Sequence, residues 1–184
     1  MELFEKTGAL LRGHFLLTSG LHSPNYLQCA KVLQYPDYAE RLGRAIAEHY
    51  RDSRISCVVA PAIGGIVIGH EAARALGARS IFTEREGDEM RLRRGFSLDE
   101  NERVLVVEDV ITTGGSTRDT IDAVIANNAR VVGAASIIDR SGGTADVGIP
   151  RFALATLQVE TYNPENCPLC AEGSRPVKPG SRNQ

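Results

Sequence analysis

The sequence predicts an α/β fold, a central, mainly parallel β-sheet flanked by helices. Two observations carry this. Apolar runs of strand length alternate with stretches of helical periodicity along most of the chain. The 184 residues, 42% hydrophobic and 24% charged, have the balance of a water-soluble globular protein. A chain of this length buries roughly 70% of its unfolded surface, enough for one core.

The elements follow in order. The first dozen residues, with Leu3, Phe4, Thr7, Leu10 and Leu11, read as a short helix. In "HFLLTSGLHSPNYLQC", 14–29, the "TSG" and "HSPN" turn signals separate short extended pieces. "PDYAERLGRAIAEHY", 36–50, opens on Pro36 and Asp37 and repeats Tyr38, Leu42, Ile46 and Tyr50 at helical spacing. "ISCVVAP", 55–61, is a buried strand, followed by a helix that Gly77 closes. "RSIFTE", 79–84, is the next strand. Residues 84–101 are polar and read as flexible, with "MRLRR", 90–94, alternating like a hairpin strand. "RVLVVED", 103–109, precedes a helix whose Ile121, Val124 and Ile125 form its apolar face. "RVVGAASIID", 130–139, and "RFALATLQ", 151–158, complete the strands.

This pattern predicts βαβ units with right-handed crossovers, helices on both sheet faces, and one domain over 1–170. The tail, 171–184, is rich in Gly, Pro, Ser, Lys and Arg and reads as poorly ordered. In such sheets ligands bind at the carboxyl ends of the strands. Residues 61–65, 84–94, 108–116 and 140–143 are therefore expected to collect at one edge.

Charge and composition exclude some classes. A net charge of -2 supplies no attraction to nucleic acid or an anionic membrane. No apolar run approaches the ~20 residues needed to span a bilayer. The N-terminus is not a secretory signal, so the four cysteines suit a reducing, cytoplasmic setting. "CPLC", 167–170, offers two zinc ligands rather than four. His14, His22, Cys29 or a second subunit would have to complete a site, and a reduced pair in a turn is the plainer expectation. The histidines at 14, 22, 49 and 70 show no ligand spacing.

The strongest motif is "VLVVEDVITTGGS", 104–116. Four β-formers end on Glu108 and Asp109, and a Thr/Gly/Ser loop then enters a helix. Glycines let backbone N–H groups approach an anion, and the helix start adds unpaired donors and partial positive charge. Carboxylates beside such a cradle repel a bare phosphate. They fit a phosphorylated sugar that also presents hydroxyls, or a bound Mg²⁺. The plain alternative is a capped turn, with Ser116 or Thr117 as N-cap and both acids solvated.

All thirteen positions of this stretch are similar to the phosphoribosyl-diphosphate signature of the type I phosphoribosyltransferases. The element order over roughly 1–160 is also like that family. Within it, "GHFLLTSGLHSPNYLQ", 13–28, and "IIDRSGG", 137–143, resemble segments of the orotate-using members. The resemblance implies transfer of the 5-phosphoribosyl group from 5-phospho-α-D-ribose 1-diphosphate (PRPP) to orotate, a step of pyrimidine biosynthesis. It also implies Mg²⁺ near Glu108 and Asp109, a homodimer with shared active sites, and a small hood, from about 1–35 and the C-terminal segment, over the strand ends. Glu108 and Asp109 would hold the ribose hydroxyls. Val110, Ile111, Thr112, Thr113, Gly114, Gly115 and Ser116 would wrap the 5′-phosphate. Thr112 and Arg140 would contact orotate. A basic loop would cover the diphosphate through Arg85 first, then Arg93 and Arg94. Asp109 and Arg85 are the expected catalytic pair. The chain departs from the family's usual form at two places. Gly64, in "APAIGG", and Thr18 stand where lysines are usual. Backbone donors, Lys31 or the arginines would take over their work.

Overall fold

The computed structural model describes residues 2–17 and 19–179. The substitution at Thr18 and the end of the expected tail, 180–184, lie outside the described residues. The chain divides into two compact units. One comprises residues 1–32 and 158–184, the other residues 33–157.

In the larger unit, six strands form one sheet: β3 (Cys57–Pro61), β4 (Arg79–Glu86), β5 (Glu89–Leu92), β6 (Arg103–Ile111), β7 (Arg130–Asp139) and β8 (Arg151–Thr156). Their order is β5-β4-β3-β6-β7-β8. Every neighbouring pair is parallel except β4–β5. Three helices, α3 (Pro36–Tyr50), α4 (Gly65–Leu76) and α5 (Gly115–Ala126), accompany the sheet.

Residues 57–60 are all at most 1% exposed, so β3 is covered on both faces. The pleat divides them. Cys57 and Val59 join Val104 and Val106 in a cluster with Ile121 and Val124 of α5. On the other face a Cβ at Gly69 of α4 would meet Ala60 Cβ at 2.8 Å and Val58 Cγ1 at 3.7 Å. Helices thus cover both faces, as the alternation predicts. The hairpin strand expected within 84–94 forms, as β5, because Gly87 at φ 62° turns β4 into it. Two expectations change. Ile125 is 55% exposed, so the apolar face of α5 runs through Ile121 and Val124 instead. Finally, β6 runs two residues past Asp109, pairing Val110 with Ile138 and Ile111 with Asp139.

The smaller unit contains α1 (Glu2–Lys6), β1 (Leu10–Leu16), β2 (His22–Leu27) and α6 (Pro168–Ala171). A short helix, α2 (Ala30–Leu33), ends at the boundary. Leu10 and Leu11, expected in the first helix, belong to β1. Strands β1 and β2 pair antiparallel. The C-terminal segment is hydrogen-bonded to this hairpin: Tyr162 exchanges backbone bonds with His22, and Val177 lies between His14 O and Leu16 N. Residues 171–179, assigned to the loose tail by composition, include this Val177 bridge. Two of the four histidines that lack ligand spacing in sequence, His14 and His22, also converge here. Ligand atoms of His14, His22, Cys167 and Cys170 all lie within 4.8 Å of one another.

Candidate active site

The sheet order creates a crevice before any side chain is considered. From β3 the chain moves to β4 on one side, and from β6 to β7 on the other. The connections leaving the adjacent carboxyl ends of β3 and β6 therefore diverge, which is where open α/β sheets bind ligands. The β3–α4 turn, 61–65, and the β6–α5 turn, 112–114, occupy this point.

Glu108 and Asp109 stand at its centre. Glu108 is 6% exposed and Asp109 partly buried. Ser116 Oγ donates to Glu108 Oε2 at 3.1 Å, and the Asp109 N–H to Glu108 Oε1 at 3.2 Å. The Val110 N–H donates to Asp109 Oδ1 at 2.8 Å. Burial raises the pKa of both carboxyls, and for Glu108 the neighbouring Asp109 charge adds to it. Two acids held this way favour a ligand that brings hydroxyl donors or a cation.

The turn from β3 presses directly on this pair. A Cβ at Gly64 would lie 2.7 Å from Asp109 Oδ1, and one at Gly65 would lie 2.9 Å from Val107 O. The Ala62–Ile63 peptide bond is cis. Both helices that start here lack side-chain caps: the N-cap residues are Gly64 for α4 and Gly114 for α5. The capped-turn alternative is therefore not what forms, since Ser116 bonds to Glu108 and Gly114 occupies the N-cap. Gly114 has φ 80°, and an added Cβ would meet Val147 Cγ1 at 2.8 Å, so both conformation and space demand glycine. Thr112 and Thr113 are exposed in the turn. Val110 and Ile111, expected to wrap a phosphate, continue the strand ladder. Ile111 is 1% exposed, so its side chain is core and only its backbone borders the turn.

Thr112 and Arg140 each follow the last paired residue of β6 and β7, which end in register at Ile111 and Asp139. The Arg140 N–H donates to Ile111 O at 2.8 Å. Asp139 bonds elsewhere: Oδ2 accepts from Arg151 Nη1 at 2.5 Å, and Oδ1 from the Ser141 hydroxyl at 2.6 Å and N–H at 2.8 Å. Burial raises the Asp139 pKa, but the Ser141 and Arg151 bonds outweigh it and hold the carboxyl below its usual range. This network shapes the loop that begins at Arg140. Sequence reasoning missed Arg151, which carries no local motif. It also missed Thr83 and Thr120, whose hydroxyls meet at 3.1 Å while Thr120 donates to Ser116 O at 2.8 Å. That chain anchors the first turn of α5 to β4.

The arginines are exposed and differ in their partners. Arg85 bonds to Asp119 Oδ2 at 2.9 Å, one turn into α5, and to Asp88 O at 2.8 Å. Arg94 grips Glu84 with two bonds, at 2.9 and 2.8 Å. Arg93 lies on the surface. Lys31, in the smaller unit, donates to Gly8 O at 3.3 Å.

An acid pair beside two uncapped helix starts, at a sheet switch point, has the chemistry that suits a phosphorylated sugar. The chain belongs to the phosphoribosyl transferase family, whose domain model matches residues 29–163. Its relatives narrow this further. An orotate phosphoribosyltransferase of Caldicellulosiruptor bescii is 56% identical over 182 residues, 99% of this chain and 96% of the relative. One from Pelotomaculum thermopropionicum is 55% identical over the same share of both chains. The crystal structure of orotate phosphoribosyltransferase from Aeropyrum pernix, 29% identical, aligns with a TM-score of 0.68 over 85% of this chain and 93% of that one. Among the described residues, no helix is long and apolar enough to cross a membrane.

Proposed function

We propose that this chain is an orotate phosphoribosyltransferase, joining orotate to the ribosyl C1 of PRPP to give orotidine 5′-monophosphate and diphosphate. Full-length relatives with this activity in their names support the reaction. One observation carries the site assignment. Glu108 and Asp109 lie side by side where the turns from β3 and β6 diverge, flanked by the uncapped starts of α4 and α5.

The roles follow from charge. The carboxyls of Glu108 and Asp109 accept the ribose hydroxyls, which explains acids beside a phosphate cradle. The Thr112–Ser116 turn holds the 5′-phosphate through backbone N–H groups and threonine hydroxyls. The C1–N bond forms as the C1–O bond to diphosphate breaks; the electron pair leaves with diphosphate, and the ring nitrogen of orotate gives up its proton to water or to the departing diphosphate. Positive charge develops on the ribose ring, and the buried acids beneath it stabilise that charge. Arg140 offers a forked guanidinium to the orotate carboxylate. Arg85 meets the diphosphate after exchanging its Asp119 partner for it.

The acid pair also suits Mg²⁺. Burial disfavours both ionised carboxyls, and a hydrated cation relieves that cost. Glu108 and Asp109 would hold it together with substrate oxygens. When bound, Mg²⁺ neutralises the departing diphosphate. We further assign a cytoplasmic homodimer in which the partner completes each site.

The test is orotidine monophosphate formation from orotate, PRPP and Mg²⁺, followed by absorbance. Asp109→Asn is expected to lower kcat by about 10²-fold or more with folding intact. A folded wild-type protein without turnover overturns the reading, and near-normal rates in Asp109→Asn remove its catalytic role.

A further inference from the structure

The hairpin of the smaller unit carries a second constellation, of nitrogen and sulfur ligands rather than carboxylates. Leu16 pairs with His22 across the β1–β2 ladder, and His14 lies two residues before Leu16. The two imidazoles therefore meet on one face, edge to face, with centroids 4.7 Å apart. Cys167 precedes α6 and Cys170 lies within it. This Cys-x-x-Cys turn brings both sulfurs to the same two rings. His14, His22 and Cys167 are at most 6% exposed.

The separations suit a tetrahedral ion. With Zn–N near 2.0–2.1 Å and Zn–S near 2.3 Å, the polyhedron edges are about 3.3 Å for N–N and about 3.6 Å for N–S. Here Cys167 Sγ is 3.6 Å and Cys170 Sγ 3.9 Å from His14 Nε2, and Cys170 Sγ is 3.4 Å from His22 Nδ1. His14 Nε2 and His22 Nδ1 are 2.9 Å apart.

Hydrogen bonding alone does not explain the arrangement. His14 Nε2 faces three partners at once: His22 Nδ1, Cys167 Sγ and Cys170 Sγ. A ring nitrogen has one proton or one lone pair, so it makes one good bond. On its other side, His14 Nδ1 lies 3.2 Å from Ser174 Oγ. A proton on Nδ1 donated to that hydroxyl leaves Nε2 as a lone pair pointing inward, the outer bond that metal-bound histidines use. A cation at the centre satisfies all four groups together.

We propose that His14, His22, Cys167 and Cys170 bind a structural Zn²⁺. Two thiolates and two imidazoles suit zinc, and four protein ligands leave no open position for catalysis. The ion joins positions some 150 residues apart, between 148 and 156 for these contacts. It does so where the backbone is already fastened. His22 also pairs with Tyr162, and His14 O accepts from Val177 N. The site therefore clamps the C-terminal segment to the N-terminal hairpin.

Metal analysis of the full chain after gel filtration is expected to find about one zinc per chain. Cys170→Ser and His22→Ala should each lower it to below about a tenth, while Cys29→Ser, at the other cysteine of this unit, retains it. Chelation should lower the Tm by at least about 5 °C, restored by Zn²⁺ and not by Mg²⁺. If a variant fails to fold, the wild-type apoprotein decides. Added Co²⁺ should produce tetrahedral d–d bands with thiolate charge transfer. Protein isolated without zinc that yields no such cobalt spectrum overturns the proposal. So does an intact mass lighter by two hydrogens whose disulfide is mapped by peptide digestion to Cys167 and Cys170.

Discussion

Gly64→Ala distinguishes two reasons for a glycine. The backbone there has φ -59° and ψ -42°, an ordinary right-handed helical conformation. Alanine fits that conformation and by itself would stabilise the chain by about 0.4–1 kcal/mol through the unfolded state. Space is the other reason. The new Cβ would lie 2.7 Å from Asp109 Oδ1 and 2.9 Å from Cγ and Oδ2. A relaxed carbon–oxygen contact is about 3.3 Å or longer, so the carboxylate must move by roughly 0.6 Å. Its Oδ1 accepts the Val110 N–H at 2.8 Å, and a shift of that size stretches or breaks the bond. Losing a hydrogen bond to a charged group costs about 1.5–3 kcal/mol. Net stability then falls by about 1–2 kcal/mol, a few degrees in Tm. Activity should suffer more, because a misplacement near 1 Å in a catalytic site costs about 10²-fold. The expected kcat/KM for PRPP is about 10- to 100-fold below wild type, measured by steady-state formation of orotidine monophosphate. Gly64→Lys carries the same Cβ and should do no better, although the family resemblance leads to the expectation of a lysine there. A folded Gly64→Ala enzyme with kcat/KM within about twofold of wild type refutes the steric argument.

Three other outcomes follow from the contacts. Asp139→Asn leaves Arg151 largely buried without its anion and should cost about 3–5 kcal/mol in urea unfolding; replacing Asp139 and Arg151 together with apolar residues should recover much of that loss. Glu108 keeps its proton more tightly when folded than unfolded, so its contribution to stability is complete below the unfolded carboxyl value, about 4.3, and is lost as pH rises through the raised folded value. The ligand-free wild type should therefore lose Tm relative to Glu108→Gln between about pH 5 and 8, and parallel Tm–pH curves for the two proteins contradict that shift. Arg85→Ala removes a half-exposed pair with Asp119 and an exposed hydrogen bond to Asp88 O; stability should change by less than about 1 kcal/mol while kcat drops about tenfold or more, and unchanged kcat removes Arg85 from catalysis.

Local periodicity explains why so much of the larger unit was legible in the sequence. Val104–Val107 could only be a buried strand, and the α3 repeat of Ile46 and Tyr50 could only face a core. Errors arose where a tertiary neighbour decides. Ile125 belongs by spacing to the α5 stripe, but its angle on the helix leaves it beyond the sheet's reach. Residues 110–111 looked like loop because the acids before them are polar. Pairing with Ile138 and Asp139 extends the strand. In the smaller unit, Val177 lies in a sequence composed like a tail, and its backbone bonds come from a hairpin about 160 residues earlier.

The same distinction governs the two sites. Glu108, Asp109 and the turn after them are contiguous, so one strand–turn–helix reading brings them together as a candidate site. Strand order is not written in any local pattern. Only the adjacency of β3 and β6 puts Gly64 against Asp109, and from that contact a missing lysine becomes a steric requirement on this chain. The histidine–cysteine cluster is the extreme case. Its two halves have no mutual spacing to read, because the fold rather than the sequence sets the distance between "CPLC" and His14. A Cys-x-x-Cys turn therefore supplies half of a tetrahedron, and identifying the other half requires knowing which strand ends face it. By that standard His14 and His22 are candidate zinc ligands, whereas His49, stacked on Phe152 at 3.9 Å, is accounted for by its own packing.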